Sequence, residues 1–202
     1  MTSKLKEAQQ NFILTEATKL FLEKSISSVT MSDIASYIGI GEATLYRYFG
    51  KKQNLVIKVA ESLSKNILDK YFIFDETKNG FENIKEFYLA YLKVYKEDKE
   101  YYSFVYSLDA YIHNEIGINL DTYNDNVNMF KEVFYKYFSK GVKDNSIRED
   151  IPLDIYYRTT SIALLSFCKK LAVENILQED QISSKEEEIK TLIELFLFKI
   201  KK

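Results

Sequence analysis

A short stretch near the N-terminus gathers side chains whose chemistry suits contact with nucleic acid. Thr44, Tyr46 and Tyr48 supply hydroxyls, and Arg47 and Lys52 supply cations. Hydroxyl and ammonium groups fix a protein on phosphate oxygens, whereas a guanidinium can also pair with both acceptors of a guanine edge. The residue types and their spacing therefore predict a surface that binds DNA.

The residues before this stretch have the features of two short helices that cross at a steep angle. Thr30 to Asp33 has the form of a capping box, so a helix is expected to begin after Thr30. Ala35 supplies a small residue where the two backbones approach, and Gly39 permits a left-handed turn. We therefore predict a helix-turn-helix, with Glu42–Phe49 as the helix that enters the major groove. The apolar residues expected to join the two helices are Ile34, Ile38, Ile40 and Leu45.

At these residues the chain resembles the TetR/AcrR family of bacterial repressors. The matching positions are Ile13-Leu14, Ala17 through Phe21, Thr30 through Ala35, Gly39-Ile40, Ala43 through Phe49, Lys52 and Leu55. The resemblance implies that the DNA backbone is contacted by Thr30, Thr44, Tyr46, Tyr48 and Lys52. It implies that the bases are contacted by Glu42, Ala43 and Arg47.

Two departures from the family pattern and one structural alternative accompany this interpretation. Ser25-Ile26 stands where the family usually has Gly-Tyr or Gly-Phe, and Gly41 stands where Ser or Thr is usual, which weakens the cap of the second helix. Tyr48 and Phe49 can instead pack against the first helix, and Tyr46 can be partly buried.

The scarcity of glycine and proline indicates the fold class. The chain has six glycines and one proline, whereas a β-rich protein needs turn residues every ten or so positions. We predict an all-α protein of about nine helices. Its helix-turn-helix head would span residues 1–50, and a larger helical ligand-binding and dimerisation bundle would span 51–202. The predicted helices cover about 4–24, 31–39, 42–49, 52–72, 81–97, 100–113, 119–141, 153–177 and 185–201, and the first is expected to bury Leu5 and Phe12.

The last two long helices lack a polar face. Residues 162–168 and 192–198 are apolar on nearly all sides, and such a helix needs neighbours on more than one side. The resemblance implies a homodimer in which these helices pair with their copies, and the alternative is that both are central helices of a monomer. The predicted interface residues are Ser161, Leu164, Leu165, Cys168, Ile189, Ile193 and Phe196.

The middle helices hold many aromatic residues, most of them tyrosines. Because a buried tyrosine needs a partner for its hydroxyl, so many are hard to satisfy in a solid core, and a cavity for a lipophilic ligand is an alternative. The resemblance implies such a cavity, although an aromatic stripe at helical spacing is more often plain core. The predicted ligand-binding residues are Tyr88, Tyr91, Tyr95, Phe104, Tyr111, His113, Tyr123 and Phe130. For His113, a surface loop near Gly117 is an equal alternative.

Composition limits the other classes of function. The net charge of −2 hides an asymmetry, since residues 1–58 carry +3 and the rest −5, which weakly indicates a head that faces phosphates. The single cysteine, Cys168, cannot form an internal disulfide, and the polar segment 1–10 lacks the apolar core of a signal peptide. We expect a cytoplasmic protein with no membrane partner.

An enzyme is not expected. One histidine and one cysteine, far apart in sequence, suggest no metal cluster or catalytic triad, and no glycine loop for phosphate is present. We predict no catalytic residue, metal or cofactor. The predicted function is a ligand-responsive transcriptional repressor, released from a palindromic double-stranded DNA operator by a small lipophilic or aromatic effector. The alternatives are an activator without a small-molecule inducer, or a helix-turn-helix-headed protein that recruits a partner protein.

Overall fold

A computed structural model describes residues 3–115, 117–173 and 184–202. Within these residues the chain forms nine α-helices, one 3₁₀ turn (Ile26–Ser28) and no β-strand, which confirms the all-α prediction. The helices are α1 (Ser3–Glu23), α2 (Met31–Ile38), α3 (Glu42–Phe49), α4 (Lys52–Tyr71), α5 (Gly80–Glu97), α6 (Glu100–Asn114), α7 (Asp121–Lys143), α8 (Leu153–Val173) and α9 (Lys185–Ile200). The predicted end of the eighth helix at 177 lies outside the described residues.

The chain divides into two compact units. Unit 1 comprises Met1–Lys65 with Ser103–Asn126, and unit 2 comprises Asn66–Tyr102 with Val127–Lys202. The divisions fall inside α4, α6 and α7, so each of these helices contributes residues to both units. The predicted boundary between residues 50 and 51 stays a prediction.

In unit 1, α1 buries one stripe of side chains. Ile13, Ala17 and Leu20 are almost fully buried, at the spacing of one helix face. The expectation that Leu5 and Phe12 are buried was wrong, since both are exposed. Phe12 points about 100° away from its neighbour Ile13, off the buried stripe.

Unit 2 contains a close approach of two helices at a pair of glycines. A Cβ on Gly80, the first residue of α5, would lie 2.0 Å from the backbone nitrogen of Gly141 in α7. The Gly80 N–H donates to the Asp144 carboxylate at 2.8 Å, and the next N–H, of Phe81, donates to the Ser146 hydroxyl at 3.0 Å. The start of α5 is therefore fixed directly on the end of α7.

The core of unit 2 is rich in aromatic rings whose hydroxyls are paired. The hydroxyl groups of Tyr88 and Thr160 lie 2.7 Å apart. The Tyr95 hydroxyl donates to the Leu171 carbonyl at 3.2 Å, and that of Tyr102 donates to the Tyr91 carbonyl at 2.9 Å. The sequence argument that these tyrosines are hard to satisfy in a packed core is therefore wrong for Tyr88 and Tyr95, because backbone carbonyls and a threonine serve as their partners.

No helix in the described ranges is both long and apolar enough to cross a membrane.

Candidate nucleic-acid interface

The first helix of the predicted motif, α2, begins at a complete capping box. The Asp33 backbone N–H donates to the Thr30 hydroxyl oxygen at 3.1 Å, and the Thr30 backbone N–H donates to the Asp33 carboxylate at 2.8 Å. The Thr30 hydroxyl donates to the same carboxylate at 2.6 Å. This hydroxyl bond, followed by the backbone bond, lowers the pKa of Asp33. The predicted helix start is confirmed, and Thr30 is exposed there.

A left-handed glycine forms the turn between α2 and α3. Gly39 has φ of 76° and ψ of 34°, a conformation that glycine adopts without steric penalty. The N–H groups of Gly39 and Ile40 both donate to the Ala35 carbonyl, each at 3.0 Å. Ala35 itself is buried, as are Ile34 and, from α3, Leu45. The predicted helix-turn-helix is thus present, with a shared apolar core.

Helix α3 has the predicted bounds and presents a polar outer surface. Gly41 caps it without a side-chain hydrogen bond, and the Thr44 N–H donates to the Gly41 carbonyl at 2.8 Å. Gly50, with φ of 72°, ends the helix. Of the predicted DNA contacts, Glu42, Ala43, Tyr46 and Arg47 are exposed, and Thr44 is half-buried.

The aromatic residues of α3 divide between surface and core. Tyr46 is 46% exposed, so it is available to a partner. Phe49 is buried, and Tyr48 is half-buried with its hydroxyl donating to the Gln9 side chain of α1 at 2.6 Å. The Arg47 guanidinium lies 5.6 Å from the centre of the Tyr48 ring. Tyr48 therefore supports the position of Arg47 and packs against α1, as the structural alternative proposed.

Lys52 has partners within the protein that the sequence did not indicate. Its ammonium donates to the Ile26 carbonyl at 2.5 Å and lies 5.1 Å from the centre of the Tyr111 ring. The side chain is half-buried, and burial lowers the pKa of Lys52. No short motif links these residues, since Ile26 and Tyr111 lie far from Lys52 in the chain.

The eight predicted ligand-binding residues divide equally between the units. Tyr88, Tyr91, Tyr95 and Phe130 belong to unit 2, and Phe104, Tyr111, His113 and Tyr123 belong to unit 1. Within unit 2, Tyr88, Tyr91 and Tyr95 are buried. Within unit 1, Phe104 and Tyr111 are buried, Tyr123 is half-buried and His113 is exposed.

Most of the predicted dimer residues lie inside a single chain. Leu164, Cys168, Ile189 and Ile193 are fully or almost fully buried, and Ser161 is 9% exposed. Their assignment to the dimer interface stays a prediction, and their own chain already covers nearly all of their surface. Leu165 and Phe196 are half-buried and pack against the same core.

The exposed apolar surface of α8 and α9 is formed by other residues. Ile155 and Ile162 of α8 are 67% and 55% exposed, and Leu195 and Phe198 of α9 are 62% and 85% exposed. Ile155 and Ile162 lie two turns apart on one side of α8, and Leu195 and Phe198 lie one turn apart on α9. We call these four residues the apolar face.

The arrangement of α2 and α3 defines the class of protein. A short helix held by a capping box, a left-handed glycine turn and a second helix with exposed hydroxyl and cationic side chains form a DNA-binding helix-turn-helix.

Comparison with known proteins gives the family. Residues 13–59 match the family model described as bacterial regulatory proteins, tetR family. The transcriptional repressor KstR2 of Rhodococcus jostii is 24% identical over 76% of this chain and 74% of its own length. The regulator SAR2658 of Staphylococcus aureus is 26% identical over 80% of this chain and 84% of its own length. A regulator from Saccharomonospora viridis, solved in complex with choline, has a TM-score of 0.74 at 16% identity and covers 97% of this chain and 99% of its own.

The chain carries a tetR-family DNA-binding domain at residues 13–59, and its sequence is similar to helix-turn-helix transcriptional regulators over most of its length. The relatives it matches are transcriptional regulators, not enzymes.

Proposed function

We propose that the protein is a cytoplasmic, homodimeric repressor that binds a palindromic operator and is released by a small lipophilic or aromatic effector. The observation that carries DNA recognition is the exposed row of Glu42, Ala43, Tyr46 and Arg47 on a helix whose opposite side is anchored by buried Leu45. A rigid helix with exposed donors suits direct contact with base edges in the major groove. The Rhodococcus relative is a transcriptional repressor, which supports the proposed direction of regulation.

A second copy of the chain is the proposed occupant of the apolar face. Large apolar side chains as exposed as Phe198 and Ile155 are a cost in water, and each contributes roughly 1.5–3 kcal/mol when fully buried. A two-fold axis would bring the same four residues from each chain together. The symmetric pair of α3 helices then matches the two half-sites of a palindrome.

The effector is proposed to bind in unit 2. The Ser161 hydroxyl in α8 is buried beside the hydroxyls of Tyr91 and Tyr157, so the aromatic core of unit 2 holds a group of polar atoms that could bind a polar part of a ligand. The Saccharomonospora regulator, which has the same fold, was solved in complex with the small molecule choline. Effector binding would favour a dimer state that does not fit the operator, and its effect is limited to its differential affinity for the two states.

Substitution of Arg47 tests the DNA-binding surface. We expect Arg47→Ala to weaken binding to an operator selected from random duplexes by about 10–100-fold, because a bidentate base contact is worth about 1–3 kcal/mol. Its preference for the selected operator over a scrambled duplex should fall as well. Fluorescence anisotropy with labelled duplexes measures both quantities.

Arg148→Ala is the matched control, because Arg148 is an arginine of unit 2 whose side chain is 43% exposed and pairs with Asp150. It should bind the operator like the wild type. Equal affinities of wild type and Arg47→Ala for every duplex would contradict the assignment of α3 as the recognition helix.

A further inference from the structure

The backbone N–H and carbonyl of Ile26 are each hydrogen-bonded by a side chain that lies outside the helix-turn-helix. Ile26 lies in the 3₁₀ turn between α1 and α2, and its side chain is fully buried. Its N–H donates to the Ser107 hydroxyl of α6 at 3.1 Å, and its carbonyl accepts from the Lys52 ammonium at 2.5 Å. The Ile26 carbonyl also accepts from the Val29 N–H of the turn at 3.4 Å, so the two side chains add to the turn's own hydrogen bond and fix the Ile26 backbone at both its donor and its acceptor.

Helix α6 presents a row of residues to this turn and to the start of α4. Ser107 and Tyr111 lie four residues apart on one face of α6, and Glu115 is the residue that follows the last residue of this helix. The Tyr111 ring lies 5.1 Å from the Lys52 ammonium, a cation–π contact, and the Gln53 amide donates to the Glu115 carboxylate at 2.9 Å. One face of α6 and the residue after this helix therefore contact the two segments that flank the motif.

These contacts lie next to the two ends of the helix-turn-helix segment. Ile26 lies four residues before Thr30, the cap of α2, and Lys52 lies two residues after Gly50, the end of α3. The Lys52–Ile26 hydrogen bond therefore joins the entry of the helix-turn-helix to its exit. Closing the segment in this way fixes where α2 begins and where α3 ends relative to α1 and α4.

We infer that Lys52, Ser107 and Tyr111 are positioning residues for DNA binding, which clamp the Ile26 peptide and so hold the helix-turn-helix in its binding geometry. This role differs from a phosphate contact by Lys52, which the family resemblance implies. The lysine acts through Ile26, and α6 takes part through Ser107 and Tyr111 although it lies outside the motif.

The salt dependence of binding separates the two roles. A lysine that neutralises a phosphate releases a counterion, so its loss lowers the slope of log affinity against log salt by about one. A lysine that holds the fold of the head leaves that slope unchanged. Tyr111 and Ser107 carry no positive charge, so a phosphate role for Lys52 predicts no effect of changing them.

The experiment compares four single variants and one double variant of the full chain in operator titrations over a range of salt. We expect Lys52→Met, Ser107→Ala and Tyr111→Leu each to lower affinity by about tenfold, the size of a hydrogen bond to a charged or buried group. Their salt slopes should equal that of the wild type. Tyr111→Phe retains the ring and should bind like the wild type. Lys52→Met combined with Tyr111→Leu should be less than additive, because both remove the same contact.

Hydrogen exchange of the DNA-free protein tests the clamp without any operator. Ser107→Ala and Lys52→Met should each speed amide exchange in residues 24–30 while exchange in α1 stays as in the wild type. Because this measurement needs no operator, it still reports on a variant that binds DNA poorly through lower stability. A failure of the proposed repressor function would leave the exchange result unaffected. Unchanged exchange in residues 24–30 would overturn the inference. It would also be overturned if Lys52→Met reduced the salt slope by about one while Tyr111→Leu bound the operator like the wild type.

Discussion

The double substitution Ile162→Glu, Phe198→Glu is expected to convert the proposed homodimer into a folded monomer that has lost operator affinity by about 10²–10⁴-fold. Two carboxylates per chain would have to be buried without partners at the interface, a cost that far exceeds the apolar gain they replace. A monomer holds only one half-site, so the avidity of two linked contacts is lost. Light scattering after size-exclusion chromatography gives the mass, and anisotropy gives the affinity.

The control for this experiment is Ile73→Glu, because Ile73 is 74% exposed in unit 2 but lies outside α8 and α9. That variant should remain dimeric and bind as the wild type does. If the double variant stayed dimeric, the apolar face would have another role, and a monomeric wild type would contradict the proposed dimer itself.

The second large effect concerns stability, and we expect Gly80→Ala to cost about 3 kcal/mol or more of the free energy of unfolding. The added Cβ would lie 2.0 Å from the nitrogen and 2.2 Å from the Cα of Gly141, and these are backbone atoms that cannot move aside as a side-chain tip can. The start of α5 would have to separate from α7, with loss of the Gly80–Asp144 hydrogen bond. Urea unfolding followed by circular dichroism measures the change.

Gly41→Ala is the matched glycine control. Gly41 has φ of −68°, and its nearest neighbour to an added Cβ is the Thr44 hydroxyl at 3.9 Å. Alanine fits there sterically, and because it is a poorer N-cap than glycine the free energy of unfolding should fall by about 1 kcal/mol or less. A Gly80→Ala protein as stable as Gly41→Ala would show that the two helices do not approach as closely as described.

Local sequence signals were sufficient to predict the helix-turn-helix. The capping box at Thr30 and the left-handed turn at Gly39 each depend on the backbone chemistry of a few neighbouring residues. The bounds of α3 followed, since Gly41 and Gly50 flank it. The charged and hydroxyl groups on the exposed side of α3 could also be predicted, because they follow from the residue types and their spacing within one short helix.

The partners of the long helices could not be predicted in this way. The apolar character of Leu164 and Ile193 correctly indicated burial, but it does not say whether the covering surface comes from the same chain or a second one. Hydrophobic burial is non-directional, so only packing decides, and here α5 lies against both α8 and α9. Phe198 carries the same sequence signal and is the most exposed large hydrophobic residue among those described.

The contacts of Lys52 were hidden for a different reason. A lysine after a recognition helix is most simply interpreted as a phosphate contact, and Ser107 is 81 residues from Ile26. The pairing arises only when α6 folds beside the head within unit 1.

The most direct test of the account places a DNA-cleaving iron chelate on α3. Cys168 is the single cysteine, it is fully buried, and burial raises the pKa of its thiol to about 12, so a thiol-directed chelate should leave it unmodified. Ala43→Cys would then carry the label on the exposed side of the recognition helix. We predict two symmetric clusters of cleavage in the selected operator, about one helical turn or a multiple apart. A single cluster, or cleavage spread evenly along the duplex, would contradict a two-fold pair of α3 helices in the major groove.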